Sequence, residues 1–272
     1  MIQKIPIRFF IVTFLWTWFF WIIPSFLNRL GLFPENNDLL SNLNLIFKII
    51  GIFGPAIGAL VSLYTLNGKN SIKIFFKSFL SLNFGWKVWL AIIPLLGFSF
   101  FIIWIIPELF GLERITSILP NFYIFPLYLF LMVIVGGGQE EIGWRGYILP
   151  ILEKRFGLII GSLILGTIWT IWHLPLFFIK GSYQEYMNFF AYLLLCIGLS
   201  YFFSWVIDAS GNKLLSGVIA HGALNAFIDL FPFLIMENNS KQLRFWIYCI
   251  FMFIVGLIIV LIRSYKKRKY CA

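Results

Sequence analysis

The most regular feature of the chain is a series of long apolar runs separated by short polar stretches. A helix needs about 20 residues to cross roughly 30 Å of hydrocarbon, and most of the runs approach or reach this length. We interpret eight of them as membrane-spanning helices, at residues 9–27, 45–66, 86–106, 122–135, 158–178, 187–207, 214–234 and 245–262. The alternating pattern of a β-barrel is absent, so the chain is predicted to be an all-α, polytopic membrane protein with a bundle of about eight transmembrane helices.

The polar stretches carry two further helical patterns. Residues 67–85 contain three lysines at four-residue spacing with aromatic residues between them, which predicts an amphipathic helix at the membrane interface. An ordinary basic loop is the alternative. Residues 147–156 predict a short surface helix. No internal repeat or long linker divides the chain, so we interpret residues 1–272 as a single transmembrane helical domain.

Composition and charge support the membrane interpretation. With 61% hydrophobic and 12% charged residues, the chain cannot be a soluble globular domain. The net charge of +10 is explained by the positive-inside rule and the lipid bilayer, and we expect no nucleic-acid partner. Of the 21 lysines and arginines, the eight-span arrangement puts fifteen on the N-terminal side and six on the other. We therefore expect both termini on the cytosolic side of a bacterial-type plasma membrane. The acidic stretch at residues 139–146 is then expected at the cytosolic mouth of the bundle.

Charged and imidazole side chains mark the candidate chemistry. Glu140, Glu141 and Arg145 follow a triple glycine, and His173 and His221 lie within apolar runs. A charge at bilayer depth costs about 2.5–3.5 kcal/mol on insertion scales, so these residues indicate a functional site. A solvated loop for the glutamates and satisfied interhelical hydrogen bonds for the histidines are the alternatives.

The spacing in the seventh run suggests what such a site could do. His221, Asn225 and Asp229 recur every four residues and so share one helix face. A carboxylate with a histidine can activate water, and an imidazole with a carboxamide can stabilise an oxyanion, which are the requirements of a peptide hydrolase. A transporter or proton relay and a non-catalytic membrane or immunity scaffold are the alternatives. The three cysteines have no paired spacing and indicate no thiolate metal site.

Three motifs resemble the CAAX-processing and bacteriocin-processing intramembrane endopeptidases, the CPBP or Abi family. The family motifs EExxxR, FxxxH and HxxxN occur here in order, as 140–145, 169–173 and 221–225, within a family-like core at about residues 130–230. One departure is that Trp169 stands where the family usually has phenylalanine. The resemblance implies an intramembrane protease with a conical or open catalytic cavity facing the cytosol.

The resemblance also implies roles for individual residues. Glu140 would be the general base, acting with His173 on a water molecule, and His221 and Asn225 would stabilise the oxyanion. A supporting ion pair is expected between Glu141 and Arg145, which are four residues apart and share one helix face.

The resemblance leaves cofactor and substrate more open. No cofactor is preferred, although Zn²⁺ held by Glu140, His173 and His221 is a possible alternative. The expected substrate is a membrane-associated peptide or protein, either prenylated or of the bacteriocin type.

Overall fold

The computed structural model describes residues 5–29, 38–77, 81–112, 114–237 and 242–271. These residues form an all-helical bundle without strands, which confirms the predicted fold class. Eleven α-helices follow one another: α1 Ile7–Arg29, α2 Asp38–Ile52, α3 Gly54–Lys77, α4 Trp86–Leu90, α5 Leu96–Ile105, α6 Phe125–Val135, α7 Glu140–Gly143, α8 Leu149–Trp172, α9 Phe189–Ala209, α10 Leu214–Leu230 and α11 Leu243–Cys271.

Several of these helices are long and apolar enough to cross a membrane. Within the described residues, five segments qualify: Ile7–Leu27, Trp86–Phe110, Glu140–Phe178, Phe189–Ala209 and Leu243–Lys267. A sixth arises if Leu43–Ile52 and Gly54–Leu66, which meet at 41°, count as one bent span. Two shorter apolar helices, Phe122–Val135 and Leu214–Leu230, correspond to the remaining predicted runs. The chain is thus a polytopic helical membrane protein.

The segment after the second predicted span is helical as far as Lys77, where α3 ends. Gly68 has a φ of +66°, which turns the backbone, and the Ser71 hydroxyl bridges the turn by donating to the carbonyl of Leu63 at 2.8 Å. The three lysines of this segment are exposed. The helix is therefore confirmed over part of residues 67–85, whereas residues 78–80 lie outside the described residues.

The acidic motif does not sit in a loop. After the break at the triple glycine, where Gly137 has a φ of +122°, α7, a π-helical turn at Trp144–Ile148 and the start of α8 form one helical stretch up to Gly157. Within residues 147–156, five side chains are buried: Tyr147, Ile148, Leu149, Ile151 and Leu152. The predicted surface helix at 147–156 is thus wrong for its first half, because that half packs inside the bundle.

Gly157 folds this stretch back on itself. Its φ of +83° breaks the helical geometry within α8, and beyond it Ser162 donates to the Glu153 carboxylate at 3.3 Å. A straight helix from Glu140 to Trp169 would separate them by roughly 40 Å, yet their side chains are in hydrogen-bond contact at 2.8 Å. The segment Glu140–Phe178 is therefore a helical hairpin, and its two arms bring the first two motifs together.

The third motif joins them through close helix packing. A Cβ on Gly222 of α10 would lie 2.5 Å from the Cα of Val133 in α6, and a Cβ on Gly138 would lie 2.7 Å from the carbonyl oxygen of Val218. Small residues of this kind let membrane helices approach closely. Because position 133 faces 222 and position 138 faces 218, α10 runs antiparallel to the chain that leads into the acidic motif.

Candidate active site

The two glutamates are buried. Glu140 is 4% exposed and Glu141 is fully covered. The glutamates are therefore buried among the helices, and the helical stretch that carries them continues past the motif to Gly157. Their position at the cytosolic mouth of the bundle stays a prediction.

Glu140 is held by the indole of Trp169. The Nε1–H group of Trp169, on the second arm of the hairpin, donates to Glu140 Oε2 at 2.8 Å. Both side chains are buried, and water has little access to compete for this hydrogen bond. A buried hydrogen bond to a carboxylate is stronger than one between neutral groups, so it fixes the orientation of Glu140.

His173 is oriented by the end of α8. Its Nδ1 lies 2.9 Å from the backbone carbonyl oxygen of Trp169. A carbonyl can only accept, so Nδ1 carries the hydrogen and the neutral ring has a free acceptor at Nε2. The rings of Trp172 and Tyr192 stand edge-on to the imidazole at 4.7 and 5.4 Å between centroids. His173 is 7% exposed and is fixed as a neutral acceptor close to the Trp169 side chain.

Glu141 joins the first motif to the third. Its Oε1 accepts from Arg145 Nη1 at 2.8 Å and lies 2.7 Å from His221 Nδ1. The Arg145 guanidinium also stacks over the rings of Trp169 and Phe203, at 4.5 and 5.1 Å from their centroids. The predicted pair of Glu141 and Arg145 is thus present. The same carboxylate also contacts His221 at Nδ1, so the Nε2 edge of that ring points away from Glu141.

Asn225 and His221 meet at the triple glycine. The Asn225 amide donates to the carbonyl oxygen of Gly136, which uses one of its two N–H bonds. A Cβ built on Gly137 would lie 2.5 Å from Asn225 Nδ2 and 3.0 Å from His221 Nε2. Both polar groups of the third motif therefore lie directly against Gly137, where a side chain would collide with them.

Asp229 lies apart from the hydrogen-bonded residues of the three motifs. It accepts hydrogen bonds from Tyr128 and from Tyr183, the latter at 2.8 Å, and its backbone carbonyl accepts from the Ser117 hydroxyl. Burial and the neighbouring carboxylate raise the pKa of Tyr183 far above its usual value. The polar stripe on α10 thus divides into two parts: His221 and Asn225 face the acidic motif, whereas Asp229 ties α10 to α6 and to the loop before α9.

The arrangement is compact around one indole. Trp169 hydrogen-bonds Glu140, and its ring centroid lies 5.8 Å from that of His173 and 5.3 Å from that of His221. The two histidines and Glu140 are at most 7% exposed, so solvent reaches them little, and the open cavity expected from the resemblance stays a prediction. Two cavities that the structure describes, of about 520 and 500 Å³, are lined by other residues.

Sequence reasoning missed three features of this site. It noted Trp169 only as a departure from phenylalanine, assigned Glu141 only to Arg145, and gave Gly137 no role. The signals were present, because a tryptophan in a phenylalanine position adds an N–H donor and three consecutive glycines indicate a close approach of the backbone. Which acceptor the donor would find could not be read from the sequence, since the two residues are brought together by the fold at Gly157.

The zinc alternative finds no support in the donor geometry. Within the described part of the chain, no three histidine, cysteine, aspartate or glutamate side chains are grouped so that they could hold a metal ion. Glu140, His173 and His221 are therefore not grouped as the metal-binding set that the resemblance allowed.

Two comparisons with known proteins agree with the motifs. Residues 121–227 match the family model described as Type II CAAX prenyl endopeptidase Rce1-like. The chain is also 26% identical over 148 residues to "CAAX prenyl protease 2" of Methanococcus maripaludis. That match covers 51% of this chain and 50% of the relative, so the chain matches about half the length of this curated protein.

The fold and the site together define a polytopic helical membrane protein in which two glutamates and two histidines are buried and Asn225 is partly buried. The motif order and the two matches point to the same family. The chain is therefore similar to the CAAX-processing intramembrane endopeptidases, as its three motifs indicated.

Proposed function

We propose that the chain is an intramembrane endopeptidase that activates water with Glu140 and His173. The observation that carries the proposal is the convergence of a fixed carboxylate and two imidazoles around the Trp169 indole, with Asn225 and His221 close against Gly137. Buried ionisable groups of this kind are costly in a membrane protein and are characteristic of functional sites. The match to the family model supports the same reaction class.

In the proposed reaction, Glu140 takes a proton from a water molecule while the water oxygen adds to the scissile carbonyl carbon. His173 Nε2, a free acceptor in the tautomer fixed by Trp169, holds the second proton of that water in position. The carbonyl π electrons move to oxygen and form the oxyanion. Collapse of this intermediate breaks the C–N bond, and the proton on Glu140 passes to the leaving nitrogen, which gives a carboxylic acid and an amine. The acid then passes its proton to the amine, so the products leave as a carboxylate and an ammonium group.

The oxyanion would lie beside Gly137. The second N–H of Asn225 is available there without any change of protonation, because Gly136 uses only one of the two. His221 Nδ1 lies 2.7 Å from the Glu141 carboxylate, so Nε2 could donate to the oxyanion only from a ring that carries a hydrogen on both nitrogens. Donors fixed before the reaction contribute most when the negative charge develops in a site shielded from water.

The proposed substrate is a protein or peptide whose cleavage site reaches the membrane. The relative's name concerns prenylated CAAX proteins, and we extend that substrate class to this chain as part of the proposal. The membrane-embedded position of the site favours a substrate with its own lipid or amphipathic anchor. A farnesylated peptide ending in a C-a-a-X sequence and the same peptide without the lipid would separate the two cases.

Cleavage by purified protein tests the proposal. Glu140→Gln should lower kcat at least about 1,000-fold because it removes the base, and His173→Ala should lower it about 100-fold. The matched control is Glu237→Gln, which makes the same change from carboxylate to carboxamide at an exposed position outside the three motifs. Both site variants must keep the wild-type melting temperature. Full cleavage by Glu140→Gln would exclude Glu140 as the base.

Chelation separates the glutamate mechanism from the zinc alternative. We expect purified protein to keep its cleavage rate after exhaustive treatment with EDTA and 1,10-phenanthroline, and elemental analysis to find less than about 0.1 metal ion per chain. Loss of cleavage that Zn²⁺ restores would contradict the metal-free mechanism while leaving the peptidase activity itself intact.

A further inference from the structure

Trp169 makes a contact with Glu140 that an aromatic wall alone would not need. Its Nε1–H group donates to Glu140 Oε2 at 2.8 Å. The indole is 3% exposed, so its N–H would be left without a partner if it did not find one in the bundle. The hydrogen bond uses one carboxylate oxygen and leaves Oε1 as the oxygen that can take a proton.

Other buried tryptophans show that burial by itself does not produce such a contact. Trp144 and Trp172 are fully covered, and the Nε1 of each has no hydrogen-bond partner among the described residues. The Trp169 side chain, in contrast, reaches an acidic group on the opposite arm of the hairpin, 29 positions earlier in the chain. The donor is therefore specific to this position.

We propose that Trp169 is a positioning residue that holds the Glu140 carboxylate in the orientation needed to deprotonate water. This inference rests on the proposed function, because it assigns Trp169 a task only if Glu140 is the base. A carboxylate without the donor would rotate about its side-chain bonds and present the proton-accepting oxygen less often. A hydrogen bond to a buried charged group contributes enough to change a rate by about 10- to 100-fold.

Phenylalanine is the informative substitution. Trp169→Phe removes the N–H but keeps an aromatic ring against Arg145 and His221, which contact the indole at 4.5 and 5.3 Å. The hydrogen bond from His173 goes to the backbone carbonyl of Trp169 and is unaffected by the side-chain change. The matched control is Trp144→Phe, which removes a buried indole N–H that has no described partner.

The experiment measures kcat and KM of the full-length protein in detergent with a quenched fluorescent peptide that ends in a farnesylated C-a-a-X sequence. Trp169→Phe should lower kcat about 10- to 100-fold, with KM within about twofold of wild type and an unchanged melting temperature, whereas Trp144→Phe should keep both constants. Only a positioning role predicts this split, because a structural defect would lower the melting temperature and raise KM.

The outcomes separate the two proposals. If Glu140→Gln abolishes cleavage but Trp169→Phe retains the wild-type kcat, the positioning role is wrong and the proposed function stands. An equal loss of kcat in Trp144→Phe would also contradict it, since any indole would then matter. If the wild-type protein does not cleave the peptide, or Glu140→Gln cleaves it fully, both proposals fail together.

Discussion

At the scale of single residues, the site depends on one carboxylate that serves two partners. Glu141 Oε1 contacts both Arg145 and His221, and its other oxygen makes no hydrogen bond within the described part of the chain. Arg145 is 2% exposed, so its charge is compensated inside the protein rather than by water. The protein therefore needs the charge of Glu141 as well as its shape.

Glu141→Gln tests this requirement. Removing one partner of a buried ion pair typically lowers the free energy of unfolding by about 3–5 kcal/mol, because the other charge stays buried. We expect a loss of this size in detergent unfolding, together with an at least tenfold lower kcat, since His221 loses the carboxylate at Nδ1. Glu237→Gln again serves as the exposed control. A variant as stable as wild type would show that Glu140 or water compensates Arg145.

Gly137 gives a second prediction at this scale. In Gly137→Ala, the new Cβ would lie 2.5 Å from Asn225 Nδ2 and 3.0 Å from His221 Nε2, in the space assigned to the oxyanion. The φ of +122° also strains any side chain there. We expect kcat to fall about 100-fold or more. Gly111→Ala is the control, because Gly111 has a φ of +77° but nothing within 4 Å of its Cβ position. Equal activity of the two variants would contradict the oxyanion site.

The sequence predicted the contacts between site residues that are close together along the chain. His221 with Asn225 and Glu141 with Arg145 are four apart, so a helix puts each pair on one face. The contacts from Glu140 to Trp169 and from Glu141 to His221 join positions 29 and 80 apart, and they exist only because separate helices pack together. The resemblance grouped these residues, but it did not determine which atoms meet.

At the scale of helices, the apolar runs predicted the helices better than their connections. Six of the eight runs agree with the structure to within a few residues at most ends, because run length in lipid largely determines helix length. The error lay at 147–156, where the pattern predicted a short surface helix. The segment buries its aromatic and aliphatic side chains against α1 and α3, a tertiary effect that periodicity over so few residues does not reveal.

Helix packing gives a prediction independent of the site. A Cβ on Gly198 of α9 would lie 2.5 Å from the Met252 carbonyl oxygen and 2.7 Å from the Phe253 Cα on α11. These are backbone atoms that cannot move aside, so Gly198→Val should force α9 and α11 apart and destabilise the protein by about 3 kcal/mol. Thermal unfolding in detergent measures this, with Ile254→Val on the exposed side of α11 as control. An unchanged melting temperature would mean that the helices are not in this contact.

At the scale of the whole molecule, the orientation in the membrane is carried by the distribution of positive charge. Six of the 21 lysines and arginines lie on the side opposite to the termini in the eight-span arrangement: Arg29, Lys48, Arg114, Lys180, Lys241 and Arg244. The other fifteen lie on the side of the termini, and membrane proteins keep such an excess in the cytosol. The four basic residues at 266–269 make the C-terminal end the clearest part of this signal.

Reporter fusions test the orientation. Alkaline phosphatase folds only outside the cytosol, so a fusion at the C-terminus should be inactive, whereas an insertion after the exposed Gly181, between α8 and α9, should be active. A green fluorescent protein should give the reverse result at both positions. An active phosphatase at the C-terminus with a cytosolic N-terminus would mean an odd number of crossings. One of the two short apolar helices, Phe122–Val135 or Leu214–Leu230, would then fail to cross. If it were Phe122–Val135, which leads into the triple glycine, the glutamates would have to be reached from the opposite face of the membrane.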